Sequence, residues 1–334
     1  MSGYVPSGFL ALPSVDESLA REVQAELELV EERLHATVVA SDQLLAEAAT
    51  HLLAAGGKRF RAMLVLLAAR FGDPRATELI PAAAVVELTH VATLYHDDVM
   101  DEAELRRGEP SANQRWGNSI AILTGDFIFA RASEILADLG SDAVRLQAQT
   151  FGRLVQGQVL ETAGSGEDRD PLEHYLQVIA DKTASLIASS ARFGAMFGGA
   201  EPKDLEAITR AGEALGMAFQ LSDDLLDVAS DATNSGKIPG TDLREGVLTL
   251  PMFYVLRGTE PEGQRLRNLL GRRLDDAETK EALELLRAHS AMPTAHATMR
   301  SWADKARAEL ATLPECPARQ AFEGLCDYVV QRTA

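Results

Sequence analysis

The sequence is poor in cysteine and has no long apolar run. Two of its 334 residues are cysteines, Cys316 and Cys326; on one helix they would lie about 15 Å apart along the axis, too far for a disulfide. The longest uninterrupted apolar stretch, residues 62–69, is much shorter than the roughly 20 residues that cross a bilayer. The first basic residue is Arg21, so the charged segment of a secretory signal is missing. We therefore expect free thiols, no transmembrane segment and a cytoplasmic location.

Positive charge is also scarce. Lysine and arginine together number 32 against 50 aspartates and glutamates, which gives a formal charge of −18. This balance excludes non-specific nucleic-acid binding as the default function and disfavours adhesion to an anionic membrane. Apolar residues make up 46% and charged residues 25% of the chain, a composition typical of globular proteins. We expect most of the acidic surplus on a solvated surface.

Aromatic residues make up only 5% of the chain, and the alternating β-branched pattern of strands hardly appears. Strong helix formers, namely alanine, leucine, glutamate and arginine, dominate instead. Apolar residues recur at helical spacing within residues 27–34, 85–99 and 205–226, and glycine or proline breaks separate such segments. No stretch has the composition of a domain linker. We predict one all-α domain over residues 1–334, a large bundle of about ten helices with residues 1–15 loosely held.

The pattern Asp-Asp-x-x-Asp occurs twice. Its copies are the first acidic cluster, Asp97, Asp98 and Asp101, and the second acidic cluster, Asp223, Asp224 and Asp227. On a helix the first and last carboxylates of each copy share one face, one turn apart, where like charges repel. Each copy follows an apolar run, so a solvated acidic face is the weaker interpretation. These oxygen ligands suit Mg²⁺, which binds one or two carboxylates together with substrate phosphates.

Basic residues stand near both clusters, as recognition of a phosphate would require. Arg106 and Arg107 follow the first cluster, and Lys237 follows the second. Lys58 and Arg61 follow two glycines and are predicted to lie at a helix N-terminus, which favours anions. Metal ions and basic residues together would neutralise a diphosphate leaving group and promote cleavage of its C–O bond.

With both clusters and their flanking residues in place, the sequence resembles the trans-isoprenyl diphosphate synthases, the polyprenyl synthetase family. The first matching motif runs from Glu87 to Asp101 and continues to Arg106-Arg107-Gly108; the second runs from Phe219 to Asp227 and continues through residues 236–237 and 240–246. The resemblance implies a helical bundle of the isoprenoid synthase type with a central active-site cleft. It also implies head-to-tail (1'-4) condensation of isopentenyl diphosphate with an allylic diphosphate, and a homodimer.

The resemblance assigns roles to individual residues. Asp97 and Asp101, supported by Asp98, would hold two Mg²⁺ ions on the allylic diphosphate, and Asp223, with Asp224 and Asp227 close by, would hold a third. The residues that match contacts to the allylic diphosphate are Arg106, Lys182 and Lys237, and those that match the isopentenyl diphosphate pocket are Lys58, Arg61, His90 and Arg107. Thr183 and Gln220 match positions whose oxygens face the allylic cation.

Two features bear on how long the product is and how the primer binds. Thr93, Ala92 and Thr89 lie about 6, 7.5 and 12 Å before Asp97 along a helix, where bulky residues in this family stop elongation early. Since none is aromatic, we expect a long-chain all-trans product, C30 or longer, as used for quinone side chains, made from farnesyl or geranylgeranyl diphosphate. Many members carry lysine where this chain has Val247, which removes one basic contact to the allylic diphosphate.

Other interpretations stay open. A short-chain (C15 to C20) synthase would share every motif. A class I terpene cyclase shares the fold and the first cluster, but usually has an Asn/Ser/Glu metal motif instead of the second and needs no isopentenyl pocket. A metal-dependent phosphohydrolase built on His96-Asp97 would leave the second cluster unused. A non-catalytic partner subunit is disfavoured by the intact aspartates.

Overall fold

The computed structural model describes residues 15–229, 239–259 and 261–332. Over these ranges the chain is almost entirely helical. The helices up to the second acidic cluster are α1 (Glu17–Thr37), α2 (Gln43–Ala54), α3 (Phe60–Ala69), α4 (Leu79–Met100), α5 (Ala112–Trp116), α6 (Asn118–Leu139), α7 (Ser141–Ala163), α8 (Pro171–Ile179), α9 (Ser185–Phe197) and α10 (Pro202–Ala229). They are followed by α11 (Thr241–Glu245), α12 (Leu250–Arg257), α13 (Gln264–Arg267), α14 (Asp276–Ala288), α15 (Ala291–Leu310) and α16 (Pro317–Gln331).

The contacts within the chain divide it into two compact units. As far as the chain is described, unit 1 comprises Met1–Phe151, Leu186–Gly212 and Leu310–Gly324, and unit 2 comprises Gly152–Ser185, Glu213–Glu309 and Leu325–Ala334. The first acidic cluster belongs to unit 1 and the second to unit 2. The expectation of one domain over residues 1–334 stays a prediction.

Helix α4 is the central element of unit 1 and packs against α1, α3 and α6. Its residues are apolar and buried over most of its length, so the helix is covered on several sides, as an all-round hydrophobic helix requires. Gly125 of α6 lies so close to the His96 ring that a Cβ atom there would collide with it. The Tyr95 hydroxyl donates a hydrogen bond to the carbonyl of Ala48 in α2. These contacts fix the C-terminal end of α4, where the first acidic cluster lies.

A short antiparallel hairpin follows α4. Its strands are β1 (Leu105–Arg106) and β2 (Glu109–Pro110), with Arg106 paired to Glu109. The two turn residues, Arg107 and Gly108, have φ values of 55° and 83°, as the type I′ turn of a two-residue hairpin requires. A positive φ is unfavourable for arginine, so the hairpin holds Arg107 in a strained conformation beyond the end of α4.

Two helices of unit 2, α8 and α14, have side-chain caps at their N-termini. Helix α8 begins at Pro171 and is capped by Asp170, whose carboxylate accepts a hydrogen bond from the backbone N–H of Glu173; both residues are typical of a helix start. Asp275 and Glu278 form a reciprocal capping box at the start of α14. Helix α8 packs against α12 and is joined to α9 by a π-helical turn, Ala180–Ala184. This turn carries Lys182 and Thr183.

The structure confirms the all-α prediction, with the β1–β2 hairpin as the exception among the described residues. The described residues form sixteen α-helices rather than about ten; three of them, α5, α11 and α13, have four or five residues and are too short to show a periodic pattern. The predicted break over residues 234–240 lies mostly outside the described residues. None of the described helices combines the length and apolar character that crossing a membrane would require.

Candidate active site

The first acidic cluster lies at the C-terminal end of α4. Asp97 is half-buried, Asp98 is buried and Asp101 is exposed. The Oδ1 atom of Asp98 accepts a hydrogen bond of 2.6 Å from Nε of Arg106, while its buried Oδ2 atom has no hydrogen-bond partner among the described residues. Burial raises the pKa of the Asp98 carboxyl, and the Arg106 guanidinium opposes that rise. A buried carboxylate oxygen without a donor suits a cation.

A group of basic side chains, here called the basic cluster, consists of His90 of α4 and the three arginines whose charges act on it most strongly, Arg61, Arg107 and Arg106. The buried Nε atom of Arg61 has no hydrogen-bond partner among the described residues. Burial lowers the pKa of His90 well below its usual value, and the charges of Arg61, Arg107, Arg106 and, least of all, Arg59 lower it further. His90 is therefore neutral at pH 7. A neutral imidazole among arginines marks a strongly positive site, suited to an anion.

The loop before α3 is held by buried ion pairs. Arg59 has a φ of 45° and donates two hydrogen bonds of 2.7 Å to the Glu31 carboxylate of α1, from Nε and Nη2. Glu87 of α4 accepts a hydrogen bond of 3.1 Å from the backbone N–H of Ala62. These contacts present Lys58, whose side chain is exposed, and Arg61 on either side of the anchored Arg59. A fork-shaped Arg–carboxylate pair of this kind is geometrically specific.

Arg107 joins the hairpin to the same loop. Its Nη1 atom donates hydrogen bonds to the carbonyl oxygens of Leu52, at 2.7 Å, and Gly56. A Cβ atom on Gly57 would lie 3.3 Å from Nη2 of Arg107, so the guanidinium lies against the glycine loop. The structure thus brings together the four residues of the basic cluster, which are separated by up to about 50 residues in sequence and were all predicted to bind diphosphate.

The three predicted chain-length residues lie on α4 before Asp97. Thr89 and Ala92 are buried and Thr93 is half-buried. The Thr89 hydroxyl donates to the Val85 carbonyl at 2.8 Å and accepts from Nε2 of Gln147 at 2.7 Å, and the Thr93 hydroxyl donates to the His90 carbonyl at 2.8 Å. The hydroxyls are therefore bound within the protein, which leaves methyl groups as the remaining surface of these side chains. Their role in product length stays a prediction.

The second acidic cluster lies near the end of α10, and Asp223 in it forms an ion pair with Arg332. The Oδ1 atom of Asp223 lies 2.8 Å from Nη1 of Arg332. The same guanidinium donates to Oγ of Ser222 and to the Phe219 carbonyl, both at 2.7 Å, and lies over the Phe219 ring. Arg332, which follows α16, thereby becomes part of the second motif.

Asp224 is buried and forms hydrogen bonds at both carboxylate oxygens. The Tyr175 hydroxyl donates to Oδ2, and Nε2 of Gln220 donates to Oδ1 at 2.9 Å. The Gln220 carbonyl oxygen accepts from the Thr183 hydroxyl at 3.2 Å. Burial raises the pKa of the Asp224 carboxyl to about 6, although the hydrogen bonds from Tyr175 and Gln220 oppose the rise. The hydrogen-bond chain orients Gln220 and Thr183, the two residues predicted to face the allylic cation.

Asp227 accepts two hydrogen bonds from backbone N–H groups. Its carboxylate accepts hydrogen bonds of 3.1 Å from the N–H groups of Thr241 and Asp242, which lie at the start of α11. These two hydrogen bonds hold the start of α11 against the C-terminal part of α10. Lys237 itself lies outside the described residues.

Unit 2 contains a cavity of about 510 Å³. Its wall includes Lys182, Thr183, Gln220 and Asp224, and also Val247, the residue that replaces the frequent family lysine. The Lys182 ammonium forms an ion pair with Glu161, another wall residue. Four predicted site residues of unit 2 thus share one cavity of a size that suits a small ligand.

No three His, Cys, Asp or Glu side chains in the described part of the chain converge closely enough to hold a metal ion by themselves. Mg²⁺ does not need such a cage, because it is usually bound by one or two carboxylates and by substrate phosphates. The acids at the end of α4 and the unpartnered Oδ2 atom of Asp98 fit an oxygen-binding divalent cation.

Comparisons with known proteins agree with this geometry. The Polyprenyl synthetase family model matches residues 42–286. The chain belongs to the polyprenyl synthetase family. It is 48% identical over 319 residues to the nonaprenyl diphosphate synthase of Mycobacterium tuberculosis (strain ATCC 25618 / H37Rv), covering 95% of each chain.

Solved structures of family members are also similar. The geranylgeranyl pyrophosphate synthase of Corynebacterium glutamicum, complexed with calcium and isoprenyl diphosphate, matches with a TM-score of 0.87 and 45% identity, covering 95% of this chain and 98% of that one. The decaprenyl diphosphate synthase of Rhodobacter capsulatus matches with a TM-score of 0.86 and 34% identity, covering 95% and 99%. The present polyprenyl synthetase is accordingly a prenyltransferase with the all-α isoprenoid synthase fold.

Several residues that bind predicted site residues or hold the loop that carries them were not predicted from the sequence. They are Glu31, Arg59, Tyr175 and Arg332. Arg59 stands within the glycine-rich loop, so its neighbours were a usable signal. Tyr175 and Arg332 are separated from their acidic partners by 49 and about 110 residues, and no local pattern links them.

Proposed function

We propose that this prenyltransferase condenses isopentenyl diphosphate head-to-tail (1'-4) with an allylic diphosphate, either farnesyl or geranylgeranyl diphosphate. Repetition of this step makes a long-chain all-trans polyprenyl diphosphate for quinone side chains. The observation that carries the proposal is the pairing of Asp98 with Arg106 of the basic cluster. The Oδ2 atom of Asp98, which has no donor among the described residues, suits a cation, and the arginines around neutral His90 suit an anion. A reaction between one metal-bound diphosphate and a second diphosphate would use both the cation site and the anion site.

Each acidic cluster fits a share of the metal binding. In our proposal Asp97 and Asp101, with Asp98 in support, hold Mg²⁺ on the allylic diphosphate, and Asp223, with Asp224 and Asp227 nearby, holds a further ion, about three in all. When bound, Mg²⁺ neutralises the charge that develops on the leaving diphosphate. The structures of relatives that contain calcium support divalent metal use.

The basic residues divide between the two substrates. We assign Lys58, Arg61, His90 and Arg107 to the isopentenyl diphosphate and Arg106, Lys182 and Lys237 to the allylic diphosphate. Arg106 fits its role because it donates to Asp98, which would let it bind the same diphosphate that the first cluster binds through metal. Neutral His90 can donate a hydrogen bond without adding charge to a cluster of arginines.

The reaction then needs a cation to be formed and protected. As the C–O bond of the allylic substrate breaks, the electron pair leaves with diphosphate, and the oxygens of Thr183 and Gln220 stabilise the positive carbon. The Thr183 hydroxyl uses its proton to donate to the Gln220 carbonyl oxygen, which leaves the lone pairs of the hydroxyl oxygen available to the positive carbon. The isopentenyl double bond attacks the cation, and the departed diphosphate accepts the proton that is lost.

Two observations support a long-chain product: the names of similar proteins and the small side chains on α4. The chain is similar to proteins named for nonaprenyl and decaprenyl diphosphates, and Thr89, Ala92 and Thr93 are small. The 45% identity to a geranylgeranyl pyrophosphate synthase keeps a short-chain product as the second candidate.

One experiment tests the activity and its alternatives. Purified protein is incubated with Mg²⁺, labelled isopentenyl diphosphate and either primer, and the products are sized by reversed-phase chromatography, with EDTA as the control. Labelled products of C30 or longer are expected. Products that end at C15 to C20 favour a short-chain synthase, unlabelled cyclic hydrocarbons a terpene cyclase, and phosphate release alone a phosphohydrolase. A folded but inactive protein would favour a non-catalytic subunit.

We also propose that the enzyme is a homodimer. Ile122 and Leu123 of α6 and Val144 of α7 expose 42–58% of their surface within unit 1, and large exposed apolar side chains are the kind that an interface would cover. Sedimentation of the wild type and of Leu123→Glu tests this: the wild type should sediment as a dimer and the variant as a monomer. The cytoplasmic location stays a prediction.

A further inference from the structure

Lys182 and Thr183 stand in the π-helical turn Ala180–Ala184, between α8 and α9. In a π turn the backbone hydrogen bonds join residues five apart, which is rare and less favourable than an α-helix, and such turns occur often at functional sites. A turn of this kind persists when surrounding contacts hold it. The contacts that do so here come from Asp181, the residue before Lys182.

The Asp181 side chain is buried and bound at both carboxylate oxygens. Oδ1 accepts a hydrogen bond of 2.9 Å from Nε of Arg153, and Oδ2 accepts one of 2.6 Å from Nε2 of Gln177. The backbone carbonyl of Asp181 accepts from the Ser185 hydroxyl at 2.6 Å. Asp181 is thus tied to α7, α8 and α9, the three helical segments that adjoin the turn.

Arg153 of α7 binds more than Asp181. Its Nη2 atom donates to the Ala180 carbonyl at 3.2 Å and to the Glu213 carboxylate of α10 at 2.7 Å. The guanidinium therefore joins a backbone oxygen inside the π turn to a carboxylate on α10. The Ala180 carbonyl also accepts a hydrogen bond from the backbone N–H of Ser185, so Arg153 adds a second donor to an oxygen that closes the π turn.

Helix α7 also lies directly against the turn at Gly157, one helical turn after Arg153. A Cβ atom on Gly157 would lie 2.5 Å from the backbone nitrogen of Lys182, a distance that real Cβ atoms do not reach. The register of α7 against the turn is therefore set by Gly157 as well as by Arg153.

We propose that Arg153 and Asp181 are positioning residues that hold the π turn so that Lys182 and Thr183 lie in the unit 2 cavity. The proposal rests on the proposed function, in which Lys182 binds the allylic diphosphate and Thr183 faces the cation. Neither Arg153 nor Asp181 is among the residues that line the cavity, so they act through the turn. A displacement of about 1 Å of a reacting or binding group can cost up to about 100-fold in rate. Loss of this network would displace Lys182 and Thr183, and would therefore weaken binding and reaction of the allylic substrate.

The test uses Asp181→Asn, Arg153→Met and the conservative Arg153→Lys in the full chain. For Asp181→Asn and Arg153→Met we expect KM for the allylic diphosphate to rise about tenfold and kcat to fall about tenfold, with KM for isopentenyl diphosphate unchanged. Arg153→Lys should recover part of the loss. The double variant Asp181→Asn/Arg153→Met should be no worse than the single variants, because both remove one network.

A binding measurement accompanies the kinetics. Calorimetric titration with an unreactive allylic thiolodiphosphate in Mg²⁺ should show the same tenfold weakening for the two variants. Arg192→Met is the matched control, since Arg192 is a partly exposed arginine of unit 1 with a carboxylate partner, Glu206; it should leave both KM values unchanged. Gly157→Ala, which displaces the turn from the α7 side, should reproduce the effect of Asp181→Asn.

Three outcomes would overturn the proposal. Variants with unchanged allylic binding, variants in which both KM values rise together, or variants that only lower the melting temperature would show a purely structural role. The proposed function fails separately: a wild type that binds the analogue but makes no labelled product refutes the condensation and still allows the binding comparison. A wild type that does neither refutes both.

Discussion

The two acidic clusters have the same pattern, Asp-Asp-x-x-Asp, and different surroundings. In the first, Asp98 is bound by one arginine and keeps a buried oxygen without a partner among the described residues. In the second, protein donors bind every acid: Arg332 binds Asp223, two side chains bind Asp224, and two backbone N–H groups bind Asp227. Identical motifs thus differ in their surroundings: the first keeps a buried oxygen of Asp98 that suits a cation, whereas protein donors bind the acids of the second.

Because of this difference, replacing an acid of the first cluster and replacing one of the second should affect activity in different ways. A carboxylate oxygen without a donor gains its stabilisation only when a cation binds, so its removal acts on binding and catalysis. A carboxylate that already accepts hydrogen bonds orients its donors, so its replacement disturbs Gln220 and Thr183 first and metal binding second. The comparison therefore predicts unequal effects of matched substitutions.

The largest effect is expected for Asp98→Asn. The amide cannot supply the anionic oxygen, and we expect kcat/KM to fall about 10³-fold with a higher Mg²⁺ requirement. For Asp224→Asn we expect a fall of about tenfold, because the Tyr175 hydroxyl can still donate to the remaining amide oxygen. Steady-state kinetics with farnesyl diphosphate and labelled isopentenyl diphosphate over a range of Mg²⁺ concentrations measure both.

Asp73→Asn is the control for this pair, because Asp73 is an exposed acid outside both clusters, and it should have no effect. Equal losses in Asp98→Asn and Asp224→Asn would refute the comparison and indicate that both clusters bind metal in the same way.

The next effect concerns the product rather than the rate. In Ala92→Phe a ring would fill the space along α4 before the first cluster, and the main product should become shorter. Because Ala92 is buried, the ring also overpacks the core and costs about 1–3 kcal/mol of stability. Thr93→Phe, at a half-buried position, should shorten the product with a smaller loss of stability.

Product length is read by reversed-phase chromatography at equal conversion, with Ala92→Ser as the volume-conserving control. An unchanged length distribution in both phenylalanine variants would mean that α4 does not border the growing chain.

The same comparison shows what a sequence can predict. The long helices, the glycine breaks and both acidic clusters follow from local pattern and composition, because amphipathic periodicity and turn residues act over a few positions. The basic residues of unit 1 were predicted for the same reason, since Lys58, Arg61, Arg106 and Arg107 lie within recognisable motifs.

The second cluster was predicted less completely. Its partners come from elsewhere in the chain: Tyr175 precedes the cluster by about 50 residues, and Arg332 follows it by about 110. A lone tyrosine or arginine on a helix has no feature that distinguishes a ligand from a surface residue. The π turn is likewise invisible to periodicity, because it shifts the helical register by a single residue.

Arg332→Met tests whether the scaffold around the second cluster matters. It removes the ion pair to Asp223 and the hydrogen bonds to Ser222 and Phe219, so we expect a loss of about 1–2 kcal/mol in unfolding free energy and a fall of about tenfold in kcat/KM. Chemical denaturation and steady-state kinetics measure the two.

Arg332→Lys should keep part of the activity, because lysine retains the charge and lacks the fork. Arg319→Met, which removes a similarly half-buried arginine paired with Glu323 in unit 1, is the control for stability alone. Full activity in Arg332→Met would show that the position of Asp223 does not depend on the C-terminal contact.

The smallest effect concerns pH and the basic cluster. The pKa of His90 is well below 6.5 in the folded protein because of burial and the surrounding arginines, so as pH falls below about 6.5 the unfolded chain takes up a proton that the folded chain does not. The contribution of neutral His90 to the free energy of unfolding is fully present above that pH. It is lost as pH falls toward the folded-state pKa, by up to about 1.4 kcal/mol per pH unit.

His90→Gln removes this loss, so the unfolding free energy of the variant should depend less on pH between 6.5 and 5.5. Denaturant unfolding at both pH values measures the difference. Equal pH dependence in His90→Gln and the wild type would mean that His90 is protonated among the arginines, and that the first unit lacks the neutral donor on which its anion site depends.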